Sequence, residues 1–360
     1  MRIALLSYST KPRGGVVHTL ALGEALAAEG QDVTVWTLGR GGDSGFFRPV
    51  DPRVRLRVVP FSEIEGEGVG PRILRSIDTL RAAFEPAGYD VVHAQDCISA
   101  NAVDRCVRTV HHIDHFTTPE LAACHERALV RPYAHVCVSA AVADELAQGW
   151  GIKATVIPNG VEAARFAAAA SPAAERQRQR WRERLGRYVL SVGGIEPRKG
   201  SLELLEAFAL LTEPDVRLVI AGGETLFDYR EYRARWEKRA VELGVSPVVL
   251  GAVAHDELPF LVAAAGAFAF PSRKEGFGLA AMEAVAAGVP LVVSDLPVLR
   301  EVFGGVAGFG SDAPGLALEL ARALAAPDPA RRAAGESLAG RYTWRACAKS
   351  HIQLYHSLTG

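Results

Sequence analysis

At 360 residues the chain is long for a single core and fits two domains of ordinary size. Hydrophobic residues make up 49% and charged residues 22%, the balance of a soluble, well-packed protein and not of a disordered one. A formal net charge of −1 argues against a nucleic-acid partner held by bulk electrostatics, while a local basic face, and with it peripheral contact with a lipid surface, stays open.

The opening segment Met1-Arg-Ile-Ala-Leu-Leu-Ser-Tyr8 reads as a buried strand. Its apolar run is too short for a signal peptide and no small-residue cleavage site follows. No stretch reaches the uninterrupted apolar length of a transmembrane segment. The five cysteines, Cys97, Cys106, Cys124, Cys137 and Cys347, are odd in number and include no C-x-x-C pair, which suits a cytoplasmic location and thiols that pack. Apolar runs at 3–8, 33–38, 54–60, 90–95, 107–111, 134–139 and 154–157 predict strands. Helix-period segments at 16–29, 72–84, 119–130 and 140–149 separate them, so the first half predicts βαβ units around a mostly parallel sheet.

Within that half, Lys11-Pro-Arg-Gly-Gly15 precedes a helix, and Gly14 and Gly15 allow a ligand to approach the backbone closely. The full G-x-G-x-x-G spacing and its acidic partner are missing, which argues against an NAD-binding domain. Histidines cluster as His93, His111, His112, His115, His125 and His135. The run His111-His-Ile-Asp-His115 has the spacing of a metal site if helical, yet Val107-Arg-Thr-Val-His111 reads as a strand that ends there.

After Asn159-Gly160 a polar segment rich in Ala and Arg, 163–186, predicts a linker leading into a surface helix. A second alternating run follows, with strands near 188–193, 216–221, 247–251, 267–271 and 290–294. The glycine loop Val192-Gly-Gly-Ile-Glu-Pro-Arg-Lys-Gly200 carries Arg198 and Lys199, positive charge suited to an oxyanion. The stretch Phe268-Ala-Phe-Pro-Ser-Arg-Lys-Glu-Gly-Phe-Gly-Leu-Ala-Ala-Met-Glu283 predicts a strand, a glycine loop and a helix start. The unpaired N–H groups of such a helix start bind anions. Glu275 and Glu283 bracket the loop and suit sugar and ribose hydroxyls, although a plain α/β turn has the same spacing. Two doubly wound domains with a cleft at their carboxyl ends are expected.

Glu275 and Glu283, with Gly276-Phe277-Gly278 after the first, resemble the signature of retaining glycosyltransferases of family 4, whose GT-B fold holds two Rossmann-like domains facing a central cleft. The resemblance implies a hexosyltransferase that moves a sugar from a nucleoside diphosphate donor, UDP- or GDP-linked, to an acceptor hydroxyl with no cofactor and no metal. It implies that Glu275 meets the donor sugar and Glu283 the ribose. It implies further that Ser272, Phe277, Gly278, Leu279, Gly14 and Gly15 meet the donor, Val253 the base, and Arg198 and Lys199 the diphosphate. Gly194, also donor-binding, stands where relatives carry an Arg, a function that then falls to Arg198. It implies that His111 orients the departing sugar, that His93 lines the acceptor side, and that the region 40–75 shapes the acceptor site.

Ser139, Ile157-Pro-Asn-Gly-Val161, Ala221-Gly-Gly-Glu224 and Tyr342-Thr-Trp344 extend the likeness over most of the chain. The implied domains are an acceptor-binding domain at 1–162, the linker and surface helix 163–186, a nucleotide-sugar domain at 187–341, and a helix at 342–360 that crosses back to the first. A phosphorylase of the same fold, a sugar-nucleotide epimerase or hydrolase and a non-catalytic sugar-nucleotide-binding protein are the rival readings. Base, sugar, acceptor, oligomeric state and any function of His112, Asp114 and His115 stay open at this level.

Overall fold

The structure, a computed structural model, describes every residue except His115, Thr117, 224–228 and Pro327. Contacts divide the chain into two units, Met1–Gly160 together with Trp344–Gly360, and Val161–Thr343.

In the first unit the apolar runs become β1 (Arg2–Leu6), β2 (Asp32–Arg40), β3 (Arg55–Phe61), β4 (Val91–Ala94), β5 (Val107–Val110), β6 (Ala134–Cys137) and β7 (Thr155–Val156). They pair in parallel in the order β3-β2-β1-β4-β5-β6-β7. Helices cover both faces, so β1 reads as a continuous apolar run from Ile3 to Leu6 and β5 is buried at every position, Arg108 and Thr109 included. The winding reverses between β1 and β4, the point of an open parallel sheet at whose carboxyl ends ligands are generally bound.

One face packs Ile3, Leu5, Leu22, Leu26, Val33 and Val35 against Cys347, Ala348 and Tyr355 of the helix Trp344–Thr359. The same face holds His93, which the resemblance put on the acceptor side. Its ring is fully buried, with Nδ1 at 2.6 Å from the Tyr355 hydroxyl and Nε2 at 2.7 Å from the Thr109 hydroxyl. Both nitrogens are used inside the unit, where His93 ties the last helix to the sheet. Tyr355→Phe is expected to leave a buried imidazole nitrogen unpaired and to lower stability by about 1–3 kcal/mol, measured by urea unfolding.

The second unit holds β8 (Arg187–Val192), β9 (Val216–Ala221), β10 (Val248–Gly251), β11 (Ala267–Phe270), β12 (Leu291–Ser294) and β13 (Ala307–Gly310). They run parallel in the order β10-β9-β8-β11-β12-β13, which places the reversal between β8 and β11. The strand β13 escapes sequence prediction because Ala-Gly-Phe-Gly has little strand propensity. Its glycines answer a steric need: a Cβ on Gly310 would lie 2.4 Å from the Leu316 amide nitrogen in the helix Ala313–Ala325. The segment 163–186 folds as helices Ala163–Ala170 and Glu175–Leu185, with Phe166 and Leu185 buried. Among the described residues no helix is long and apolar enough to cross a membrane.

Candidate active site

The loops after β8 and β11 leave the sheet of the second unit side by side at the reversal point. They are pressed together through glycine. Gly200 has φ of 64°, and a Cβ there would lie 1.9 Å from the Pro271 carbonyl oxygen. Across this contact the Arg273 amide donates to the Arg198 carbonyl at 2.8 Å. Close approach of the β9 loop explains Gly222 in the same way, since a Cβ would lie 2.1 Å from the Gly193 carbonyl oxygen.

This fusion brings Arg198, Lys199, Ser272 and Glu275 to one point. Lys199 Nζ donates to Glu275 Oε2 at 2.8 Å, and its side chain packs beside Gly193 with the ammonium 4.9 Å from the centre of the Phe270 ring. The Ser272 hydroxyl donates to the same oxygen at 3.3 Å, and the Gly276 amide to Oε1 at 3.3 Å. Arg198 lies 3.5 Å from Glu275 and donates to Glu196 at 3.0 Å. Side-chain exposure of 20% for Lys199 and 13% for Glu275 makes this a largely desolvated ion pair that still touches solvent. Glu196, buried at 7% exposure, was not anticipated; its signal is the Glu-Pro-Arg-Lys sequence, which puts the carboxylate two residues before the guanidinium it holds.

Gly278, at φ of 96°, starts the helix Leu279–Ala286 with no side-chain cap, so the amides of that turn keep their donors for another partner. Phe270 and Phe303 back Gly278, and Phe277 packs edge-on against Tyr342 with centroids 5.3 Å apart. Glu283 follows on the same helix. Burial pushes its carboxyl up to about 8, Glu162 adds to the shift and Arg165 opposes it. Gly194 lies in the β8 loop, and half-buried Val253 lies beyond β10, which β9 separates from β8.

In the first unit Gly14 and Gly15 start the helix Gly14–Ala28, and a Cβ on Gly15 would meet the His111 ring at 3.8 Å. His111 stands just past β5 with Nε2 buried and unpaired, and burial holds its pKa well below the ordinary histidine range. His18, which sequence reasoning missed, packs edge-on against it at 4.7 Å and is held by Asn159 Oδ1 at 2.8 Å from Nδ1. Its signal was the offset of one helical turn from Gly14, which turns it toward the same loop. His112 pairs with Asp114 at 3.2 Å, and no group of three or more metal-ligating side chains occurs among the described residues. His115 and Glu224 lie outside the described residues.

A model of group 1 glycosyl transferases matches residues 174–334 and one of Glycosyltransferase Family 4 matches residues 12–165. The chain is 32% identical to an MMP alpha-(1->4)-mannosyltransferase of Mycolicibacterium hassiacum, over 84% of this chain and 83% of the relative. It is 30% identical to a glycogen synthase of Mycobacterium tuberculosis, over 99% and 94%. Two solved structures share the fold. Sucrose-phosphate synthase from Thermosynechococcus elongatus gives a TM-score of 0.79 at 23% identity, covering 99% of this chain and 98% of that one. Anabaena Alr3699/HepE in complex with UDP-glucose gives 0.75 at 19%, covering 99% and 100%. The chain therefore belongs to the group 1, family 4 glycosyltransferases and is a glycosyltransferase enzyme of the GT-B fold.

Proposed function

We propose that this enzyme transfers a sugar from a nucleoside diphosphate donor, UDP- or GDP-linked, to an acceptor hydroxyl with retention of anomeric configuration and without a metal ion. The observation that carries the reading is the Lys199–Glu275 pair beside the uncapped helix start at Gly278. An ammonium has three donors and Glu275 takes one, which leaves two for diphosphate oxygens. Arg198 and the amides of Phe277 to Leu279 add further donors where negative charge grows as the bond from C1 to the leaving oxygen breaks. In this reading that phosphate oxygen accepts the proton of the acceptor hydroxyl, whose oxygen bonds C1 on the same face, so no carboxylate nucleophile is required. Glu275 accepts from sugar hydroxyls and Glu283 from the ribose diol, while His111, neutral and with one free nitrogen, orients the sugar in the first unit.

The test is a thermal-shift series without added metal against UDP, GDP, ADP, their sugar conjugates and NAD. Stabilisation by one sugar nucleotide, lost in Glu283→Ala, supports the donor site. Stabilisation by NAD alone overturns it. NMR of the product's anomeric proton then reads retention directly.

Glu283 gives a pH dependence with a defined sign. A ribose diol donates to the carboxylate, whereas the empty site holds a carboxylic acid until the pH reaches about 8. UDP affinity should rise by roughly tenfold between pH 6.5 and 8 beyond the change seen in Glu283→Gln, a comparison that cancels ionisation of the nucleotide. Stability moves oppositely. A carboxyl raised from 4.5 to about 8 favours the folded state below pH 4.5, and this contribution is lost as pH rises through 8. Equal slopes in calorimetric titrations of parent and variant would remove Glu283 from the nucleotide site.

A further inference from the structure

The first unit has its own reversal point, between β1 and β4, and guanidinium groups gather beside it. The loop after β1 brings Tyr8 and Arg13, β2 ends on Arg40, and the helix Val69–Ala83 brings Arg72. Arg40 is fixed: Nε donates to the Tyr8 carbonyl at 3.2 Å, a terminal nitrogen donates to Ser76 at 2.8 Å, and the group lies 4.7 Å from the Phe61 ring centre. Arg13 and Arg40 stand 5.9 and 5.8 Å from the centre of the Tyr8 ring. Arg13 Nε is buried without a partner.

Among the described residues neither Arg13 nor Arg40 forms an ion pair with a carboxylate. Two acids stand nearby, Glu67 and Asp96, and Asp96 keeps one buried oxygen without a hydrogen-bond partner. Arg75 grips Glu67 with bonds of 2.7 and 2.5 Å, and Asp96 accepts from the Ser99 amide at 2.8 Å while burial raises its pKa. Burial draws Arg40 down to about 10, with Arg72 and Arg13 adding to the shift and Tyr8 and Asp96 opposing it, so the three guanidinium groups lie close enough to act on one another. A planar fork with free donors fits phosphate or carboxylate oxygens. Arg13 directly precedes Gly14 and Gly15, and Gly15 faces His111, so an anion held here lies one loop from that ring.

We infer that Arg13, Arg40 and Arg72, with Tyr8, bind a phosphate or carboxylate group of the acceptor, so that the acceptor is an anionic hydroxyl compound and not a neutral glycan. The inference deepens the transfer reading and rests on it.

The experiment titrates the full chain, without nucleotide, with glucose 6-phosphate, glucuronate, inorganic phosphate and glucose by calorimetry, and with UDP in parallel. The phosphorylated or carboxylated probes should bind and glucose should not. Arg13→Gln and Arg72→Gln should each weaken that binding by roughly ten- to a hundredfold, with Arg72→Lys falling between. Lys199→Ala should retain it, and UDP binding should be unchanged in the arginine variants. The unliganded Tm of each variant shows that it folds.

Vesicles of phosphatidic acid in phosphatidylcholine separate two sources of the group. Capture by vesicles that glucose 6-phosphate competes away, and that Arg13→Gln loses, assigns the anion to a lipid headgroup. Binding of the soluble probe with no vesicle capture assigns it to a soluble acceptor. The inference is overturned if no anionic probe binds, or if binding survives both arginine variants and disappears in Lys199→Ala. If UDP fails to bind while glucose 6-phosphate does, the donor reading falls and the pocket stands.

Discussion

Lys199→Ala is expected to lower kcat/KM by about a hundredfold while the protein stays folded, because one donor to a developing oxyanion is worth about that factor. Its ammonium also holds Glu275 in place at 2.8 Å, so the variant leaves that carboxylate with Arg198, Ser272 and the Gly276 amide. Both losses act on one centre. The effect of the double variant Lys199→Ala, Glu275→Ala should therefore be far less than the product of the two single effects. Initial rates over a range of donor concentration measure this, with Tm as the folding control. A Lys199→Ala enzyme with near-normal turnover would remove the lysine from the diphosphate site, and multiplicative effects would show that the pair does not act as a unit.

Gly200→Ala is expected to destabilise the second unit by about 2–4 kcal/mol. About 1 kcal/mol comes from forcing a Cβ into the left-handed region and the rest from overpacking. The clash is with backbone: the Pro271 carbonyl oxygen, 1.9 Å from where the alanine Cβ would stand, cannot swing aside like a flexible side chain. Relief requires the β8 and β11 loops to separate, which parts Lys199 from Glu275. Calorimetric unfolding should show the loss, and donor binding should weaken with it. Gly244→Ala, at φ of 66° where a Cβ meets nothing within 4 Å, is the control that separates the cost of the left-handed backbone from this contact. An unchanged Tm in Gly200→Ala would mean that the loops are not locked together there.

Much of the fold was legible because strands buried on both faces leave continuous apolar runs, as in β1 and β11. The strand β13 was not, since its glycines record the closeness of a helix and not strand propensity. In the site, the residues of 272–283 could be named together because one strand, loop and helix present them in order. What stayed hidden depends on distant partners. A histidine at a strand end reads alike whether it faces a ligand or a core, and His93 finds Tyr355 across a sequence separation of 262. Arg13, Arg40 and Arg72 come from separate segments, and nothing in the local pattern of any of them announces the others. Their grouping is set by the order of β2, β1 and β4 in the sheet.

The helix Trp344–Thr359 has a consequence for how the protein is made. It supplies Cys347, Ala348 and Tyr355 to a core whose other members lie between Ile3 and Ile157. During synthesis the first sheet emerges with one face only partly covered, by the helix Gly14–Ala28, and waits for the whole of Val161–Thr343 before its last helix arrives. The second unit holds all its own strands in one uninterrupted stretch, so it has what it needs to fold first, and the part of the chain that is born earliest is completed last.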